Sequence, residues 1–416
     1  MKETDMPTTL KTWVTRSAIS LTLAAGSWTS ALAQTVYNVP SLSDFSGPFA
    51  SIMPAFAEGR QSVLNWWNTE VGTKVGVKLE LKPFDTRYDT AQTASLWPGV
   101  LATKPLIGFM LGGPDTAALQ QRLPTDKVPM ILGSAANGFG WRPNQWVFSM
   151  RPTFIHELAG FVEWYQKTKL NGARPVKLAV FTTEASPTYA DIGKGISAYA
   201  KNNTDKVQLI EVVYAELQPA DLTLQLRRVL NAGAEVVMVP SSLQQAVAVK
   251  RAMQALGKNV PIVYSMHNAP STVQRMVGGM DSVNGDYEAH SAVIAGSDET
   301  EAKRFYDLLA SKYGLKQPWN SFTAIGIGQA MVLVRAVEAA AKKYGGDKLT
   351  GEIMYKTLVE VTFPAKDFNG FSGGELDFSI EAPFPTKDPR VNIGQVVNGK
   401  LITVAPAVPA PKLEKW

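Results

Sequence analysis

Two periodicities alternate along this chain. Short apolar, β-branched runs occur at 35–43 (TVYNVPSLS), 77–85 (VKLELKPFD), 106–111 (LIGFML), 128–132 (VPMIL) and 176–183 (VKLAVFTT), and again at 207–215 (VQLIEVVYA), 236–240 (VVMVP) and 261–265 (PIVYS). Between the first two, Ile52, Phe56, Val63, Trp66 and Trp67 recur at the spacing of a helix with one buried face. Strand and helix patterns in alternation predict βα units, and near-continuous apolar strands predict parallel sheets covered on both faces. Eight such strands before residue 270 exceed an open sheet of ordinary size, so an α/β chain of two lobes is expected. A crossover is expected at 146–154 (WVFSMRPTF), where an extended stretch reaches Arg151-Pro152 and a new helix begins.

The later third changes character. A helical tract from about 300 to 360 is followed by 363–379 (FPAKDFNGFSGGELDFS), in which Gly370, Gly373 and Gly374 punctuate short extended pieces. Residues 391–404 (VNIGQVVNGKLITV) read as a hairpin around Asn398-Gly399. The Pro-rich end, 405–416, is expected to be a mobile tail. Residues 322–341 are long and apolar, but Arg335 and Glu338 interrupt them, which fits a buried helix better than a membrane span.

The first 33 residues stand apart. Lys2, Lys11 and Arg16 precede a short apolar run, and Ala31-Leu32-Ala33 follows before Gln34, the pattern of a cleaved secretory leader. An uncleaved anchor is the alternative, although the run falls short of the roughly 20 residues that span a bilayer. Cleavage would leave 383 of the 416 residues and, by removing three basic and two acidic side chains, lower the net charge from +5 to +4. That charge is too small and too dispersed to point to nucleic acid. An exported chain without a single Cys must rely on its core for stability.

Candidate chemistry gathers at glycine turns. The segment 111–116 (LGGPDT) ends an apolar run and opens a helical tract, and 43–50 (SDFSGPFA), 133–138 (GSAANG) and 182–193 (TTEASPTYADIG) also follow predicted strands. Such turns expose backbone N–H groups at the carboxyl ends of strands, where open α/β sheets bind ligands. Taken singly, each is equally a loop whose Asp, Ser or Thr caps the next helix; together they suggest a shared cleft. None is a nucleotide motif, since the chain has neither a P-loop nor a strand-linked G-x-G-x-x-G. There is no G-x-S-x-G, no H-E-x-x-H and no Cys nucleophile, and His156, His267 and His290 lack metal-ligand spacing. Asp85, Asp89, Glu184 and Asp191 could pair as acid and base only if the fold brought them together. Trp66 and Trp67 are expected in the core. Tyr189, in a polar loop before a helix, could instead cover a bound molecule.

The order of these pieces resembles the type I periplasmic solute-binding proteins of ABC transporters, particularly the branched-chain amino acid (Leu-Ile-Val-binding) group, over residues 35–404. PSLSDFSGPFA is similar to that family's first-strand turn, KVPMILGSAANG to its "GVPLI" strand and ligand loop, WVFSMRPT to its crossover, and DFNGFSGGELDFS to its late F-x-G-x-x-G-x-x-x-F segment. The resemblance implies two Rossmann-like lobes with mostly parallel sheets joined by three crossovers. Lobe one would comprise 34–152 and 288–362, and lobe two 153–287 and 363–404. It further implies a periplasmic, non-catalytic protein without a cofactor or metal. Such a protein would be a monomer that captures a small solute between its lobes and delivers it to permease subunits in the inner membrane. A ligand-sensing role beside a membrane receptor and, more remotely, a periplasmic enzyme are the alternatives.

Carried over, the resemblance makes the LGGPDT turn the holder of a ligand carboxylate, with Thr116 as the hydroxyl. Ser46, Gly47, Ala135 and Asn137 would join it from lobe one, and Ser186, Tyr189 and His267 from lobe two. Glu288 and His290 would either line the cleft or satisfy the hinge backbone. Two departures bear on the ligand. Amino-acid binders present a Thr where this chain has Ala136 before Asn137, and many present an acid to the α-ammonium where it reads Ser265-Met266-His267. A buried ammonium without a partner costs several kcal/mol, on the order of the penalty for a broken ion pair. The expected solute is therefore a carboxylate or another small polar or aromatic compound, not an ordinary zwitterion.

Overall fold

The computed structural model describes residues 34–135 and 145–416; the predicted leader lies outside them. The first lobe runs β1 (Thr35–Ser43), α1 (Met53–Trp67), α2 (Thr73–Val75), β2 (Val77–Asp85), α3 (Thr90–Ala102), β3 (Gly108–Met110), α4 (Gly113–Leu119), α5 (Leu123–Asp126), β4 (Met130–Leu132) and β5 (Val147–Ser149). Its strands form a wholly parallel sheet in the order β2-β1-β3-β4-β5. The chain then crosses to α6 (Phe154–Lys169), β6 (Val176–Thr182), α7 (Pro187–Asn202), β7 (Val207–Tyr214), α8 (Thr223–Asn231), β8 (Val236–Val239), α9 (Leu243–Ala255), β9 (Ile262–Tyr264), α10 (Pro270–Val277) and β10 (Tyr287–His290). It returns for α11 (Glu301–Lys312), α12 (Ser321–Tyr344) and α13 (Gly351–Glu360), and crosses a third time into β11 (Arg390–Val397) and β12 (Lys400–Pro409). The second sheet has the order β12-β11-β10-β9-β8-β6-β7 and is parallel except for the added hairpin. The expected α/β fold of two lobes and three crossovers is the one observed.

Three departures from the sequence reading have physical causes. Strand β10 was not foreseen, because its tetrapeptide Tyr-Glu-Ala-His lacks an apolar run. Its Glu288 and His290 side chains are fully buried and joined to each other, His290 Nε2 lying 2.7 Å from Glu288 Oε1, while Glu288 Oε2 and His290 Nδ1 keep no partner. The second crossover accordingly follows His290 instead of preceding Glu288. The C-terminal segment is not a free tail: β12 continues to Pro409, Ala410 N–H donates to Pro389 O at 2.9 Å, and the Trp416 indole donates to Asp191 Oδ1 at 3.0 Å. The hairpin itself turns where expected, with Asn398 and Gly399 both at positive φ.

Helix α12 is the one helix among the described residues long and apolar enough to cross a membrane. Its most apolar stretch is 83% buried, and it serves as the core of lobe one. Asn320 caps it, accepting from the Phe322 and Thr323 N–H groups at 3.0 Å. It crosses α1 at backbone contact: a Cβ on Gly326 would stand 2.3 Å from Phe56 O, and one on Gly59 would stand 2.9 Å from Thr323 O. That closeness lets Arg60 of α1 donate to Gln329 Oε1 at 2.8 Å and to Ser41 Oγ at 2.8 Å. Gln329 Nε2 in turn donates to Met110 O and Ile131 O. The network fixes the carboxyl ends of β1, β3 and β4 against two helices. Trp66 and Trp67 belong to this packing, Trp66 meeting Phe305 edge to face at 5.0 Å.

Because the obstructing atom is backbone, Gly326→Ala must push the two helices apart. It is expected to destabilise the protein by about 1–3 kcal/mol in urea unfolding, the usual cost of overpacking; an unchanged midpoint would show that the crossing is loose.

Candidate ligand-binding cleft

The carboxyl ends of β1 to β4 face those of β6 and β9 across a cleft, the side on which parallel sheets place ligands. On lobe one, the turn Gly112-Gly113-Pro114-Asp115 connects β3 to α4. The Asp115 carboxylate, fully buried, accepts from the Leu111 N–H at 2.9 Å, from the Gly112 N–H at 3.3 Å and from the Thr93 hydroxyl at 2.9 Å. Burial raises its pKa above the ordinary value although these bonds favour the anion. The Thr116 hydroxyl donates back to Gly112 O at 3.1 Å within its own helix. The turn therefore holds the chain's own carboxylate.

A side chain that sequence reasoning did not single out lies over this turn. Arg87 and Tyr88, in the loop after β2, both have left-handed backbone conformations (φ +54° and +53°), which costs about 1–2 kcal/mol per residue. The strain directs the Tyr88 ring against Phe49, with centroids 4.6 Å apart. Its hydroxyl lies 3.1 Å from Ser186 Oγ on the other lobe and also hydrogen-bonds the Gly113 N–H. Burial raises the phenol's pKa beyond its usual value.

Lobe two contributes the start of α7 and a short 3-10 turn, Met266–Asn268, after β9. Ser265 caps that turn, accepting from the His267 N–H at 3.3 Å, and Asn268 ties it to Val239 O at 2.7 Å. Phe49, Tyr88 and Ser134 from one side and Thr188, Tyr189 and His267 from the other line a small cavity of about 10 Å3. The lobes are in contact above it: a Cβ on Gly113 would stand 2.4 Å from Thr188 Oγ1. The His267 imidazole is held well below its ordinary pKa by burial, then by Arg151 and His290, and so is neutral at physiological pH. Tyr189 is raised, by burial first and by Tyr88 second, with Arg151 opposing.

Of the residues expected at the site, Tyr189 and His267 line the cavity and Ser186 closes it through Tyr88. Ser46, Gly47 and Thr116 are not among its walls. Ser46 donates to Asp85 Oδ2 at 2.6 Å, and the Gly47 N–H donates to Asp44 Oδ1 at 2.5 Å. Ala135 is buried beside Ser134, and Asn137 lies outside the described residues. Glu288 and His290 sit side by side in β10, where the chain enters the second crossover. Phe49 and Ser134 were legible as members of the turns following β1 and β4; Tyr88 was not, because the loop after β2 has no glycine.

A family model described as "Periplasmic binding protein" matches residues 36–399. No curated protein matches by sequence. Among solved structures, a branched-chain amino acid ABC transporter protein from Thermus thermophilus with bound valine is 18% identical, with TM-score 0.75 over 90% of this chain and 97% of that one. A solute-binding protein of an ABC transporter from R. palustris in complex with 4-hydroxybenzoate is also 18% identical, with TM-score 0.70 over 92% and 99%. The substrate-binding protein LivJ from Streptococcus pneumoniae, in complex with isoleucine, is 21% identical, with TM-score 0.68 over 91% and 100%.

Asp115→Ala would orphan the Leu111 and Gly112 N–H groups and is expected to cost about 1–3 kcal/mol in urea unfolding. Asp115→Asn can serve the same partners, with its oxygen accepting from the backbone and its amide donating to Thr93, and should cost less. A carboxyl whose folded pKa is raised contributes stability below its unfolded pKa and loses it as pH rises through the folded value. The Asn variant should therefore gain on the wild type between pH 4 and pH 7; the opposite slope would mean that the ionised carboxylate is favoured in the fold.

Proposed function

We propose that this chain, which belongs to the periplasmic binding protein family, is the solute-capturing component of an ABC importer, closing its two lobes on a small carboxylate and presenting it to a membrane permease. The family places the protein in the periplasm, and residues 1–33 serve as the cleaved export signal. The observation that carries this reading is the cavity whose walls come from both lobes, six residues from the first and three from the second. Contacts made by both lobes favour the closed state, so a solute there shifts the population towards closure. The three crossovers act as the hinge between a lobe of 34–152 with the 300–360 helices and a lobe of 153–290 with the final hairpin. No covalent or acid–base step is assigned to the cleft; the solute leaves as it entered.

The solute class follows from the walls. Among the described residues no Asp or Glu lines the cavity, and the lobe-two loop after β9 offers Ser265, Met266 and a neutral His267 where an ammonium would need an anion. The rings of Phe49, Tyr88 and Tyr189 suit a flat or branched apolar body. A small monocarboxylate, aromatic or aliphatic, fits this set better than an α-amino acid. Structural relatives hold both kinds of ligand within the same scaffold.

A thermal-shift panel of residues 34–416 against amino acids, aromatic acids, short dicarboxylates and amides tests the reading. A ligand at 100 times its Kd adds about 2.7 kcal/mol to stability and raises Tm. The expected hit is a monocarboxylate recovered chemically unchanged; tight binding of leucine would overturn the solute class, and consumption of the ligand would overturn the non-catalytic role. Gly113→Val, whose side chain meets Thr188 only when the lobes close, is expected to abolish the ligand-dependent rise while leaving the ligand-free Tm near wild type.

A further inference from the structure

The two sides of the cleft differ in how completely their polar groups are satisfied. On lobe one, Asp115 and Tyr88 occupy the Leu111, Gly112 and Gly113 N–H groups that the turn could have offered to an anion. At the hinge, where the first and second crossovers meet the ends of β9 and β10, five buried polar atoms have no partner: Arg151 Nη1, His267 Nδ1, Glu288 Oε2, His290 Nδ1 and Ser291 Oγ. A buried donor or acceptor left unpaired is unfavourable, and one of the five, His267 Nδ1, belongs to a wall of the cavity, which makes the group a place where a polar ligand group could be received.

Phe154 locates this group relative to the cavity. The Arg151 guanidinium lies 5.4 Å from the centre of its ring, the His267 ring 6.0 Å away and the Tyr189 ring 6.4 Å away. Arg151 is near enough for its charge to act on both cavity-lining residues, His267 and Tyr189. Its Nε and Nη2 are bound to Glu157, but Glu157 Oε1 also accepts from the Ser291 N–H at 2.8 Å, so that carboxylate is shared and Nη1 is free. The other buried guanidinium with an unpartnered nitrogen, Arg60, is bound among Ser41, Ser43 and Gln329 and acts on Asp115, not on a wall of the cavity. The neighbouring Glu288 carboxylate is already joined to His290.

We propose that the solute's carboxylate is held at the hinge end of the cleft by Arg151 Nη1 and by His267 Nδ1, with the apolar body directed towards Phe49 and Tyr88. This rests on the solute-capture reading and reverses the orientation implied by the glycine turn. It makes His267 a specificity residue: an acid satisfies both donors, whereas the isosteric amide offers a single acceptor and no charge to the guanidinium.

Isothermal titration of residues 34–416 with two matched sets of probes tests the assignment: benzoate against benzamide, and 4-methylpentanoate against 4-methylpentanamide. At least one acid is expected to bind about tenfold or more tightly than its partner, the difference made by a hydrogen bond between charged groups. His267→Leu should remove most of that preference, and His267→Gln, which keeps a donor, should restore part of it. Arg151→Lys, checked for folding by circular dichroism, should weaken the acid without affecting the amide. Equal affinity for acid and amide, or acid binding unchanged in His267→Leu, would overturn the hinge-end assignment and leave solute capture standing. Absence of binding by every probe here and in the thermal-shift panel would bring down both.

Discussion

Everything that lets two lobes share one cleft depends on the carboxylate of Glu157. It binds Arg151, just past the end of β5, through two hydrogen bonds of 2.5 and 2.9 Å, and it also takes the backbone N–H of Ser291, just past the end of β10. Two of the three crossovers are thereby attached to one residue in the first turn of α6, where a negative charge also suits the helix dipole. The pair is almost entirely buried, and removing one member of such a pair costs about 3–5 kcal/mol because the other is left charged and dry. A motion that broke it would be expensive; a motion that turned the lobes about it would not. The pair thus defines an axis without contributing much to stability on its own, since the desolvation of two charges offsets most of their attraction.

Much of this architecture was legible because it follows from periodicity. Apolar runs such as 176–183 and 236–240 became central parallel strands, and Asn398-Gly399 became the hairpin turn, since each depends on local sequence alone. What escaped was decided by tertiary partners. Strand β10 is buried through a Glu–His bond that no hydropathy pattern signals, and the last residues are ordered because Trp416 finds Asp191 and the flat surface left by Gly195. Pro-rich composition predicts an extended chain correctly, but cannot say whether another element lies beside it.

The candidate site shows the same division at finer scale. Three of the four glycine turns, and the described start of the fourth, lie at the carboxyl ends of strands, as the strand order implies. Which groups in those turns remain available is a different question, because a Gly-Gly-Pro-Asp sequence can present its N–H groups to a ligand or fold its own carboxylate onto them. Here Thr93, reached from α3, completes the coordination of Asp115 and settles the matter in favour of the chain's own carboxyl group. That contact spans 22 residues and has no local sequence signature. Likewise, the loop after β2 reaches the cleft only because Arg87 and Tyr88 take left-handed conformations, which residue type disfavours and packing against Phe49 enforces.

These features give the cleft a direction. At its lobe-one glycine turn the polar groups are taken: the turn is filled by Asp115, the phenol of Tyr88 covers the glycines, and Ser186 meets that phenol when the lobes are together. Its hinge end is incomplete, with donors and acceptors that protein groups do not satisfy. An apolar body can lie against the first without loss, whereas only a polar group can improve the second. Because the unsatisfied atoms come from the crossovers and from β9 and β10, a ligand that pairs with them also bears on the elements about which the lobes turn. On the proposed assignment recognition and closure would be parts of one event, since the hydrogen bonds that select the ligand's charged end would also bear on the hinge.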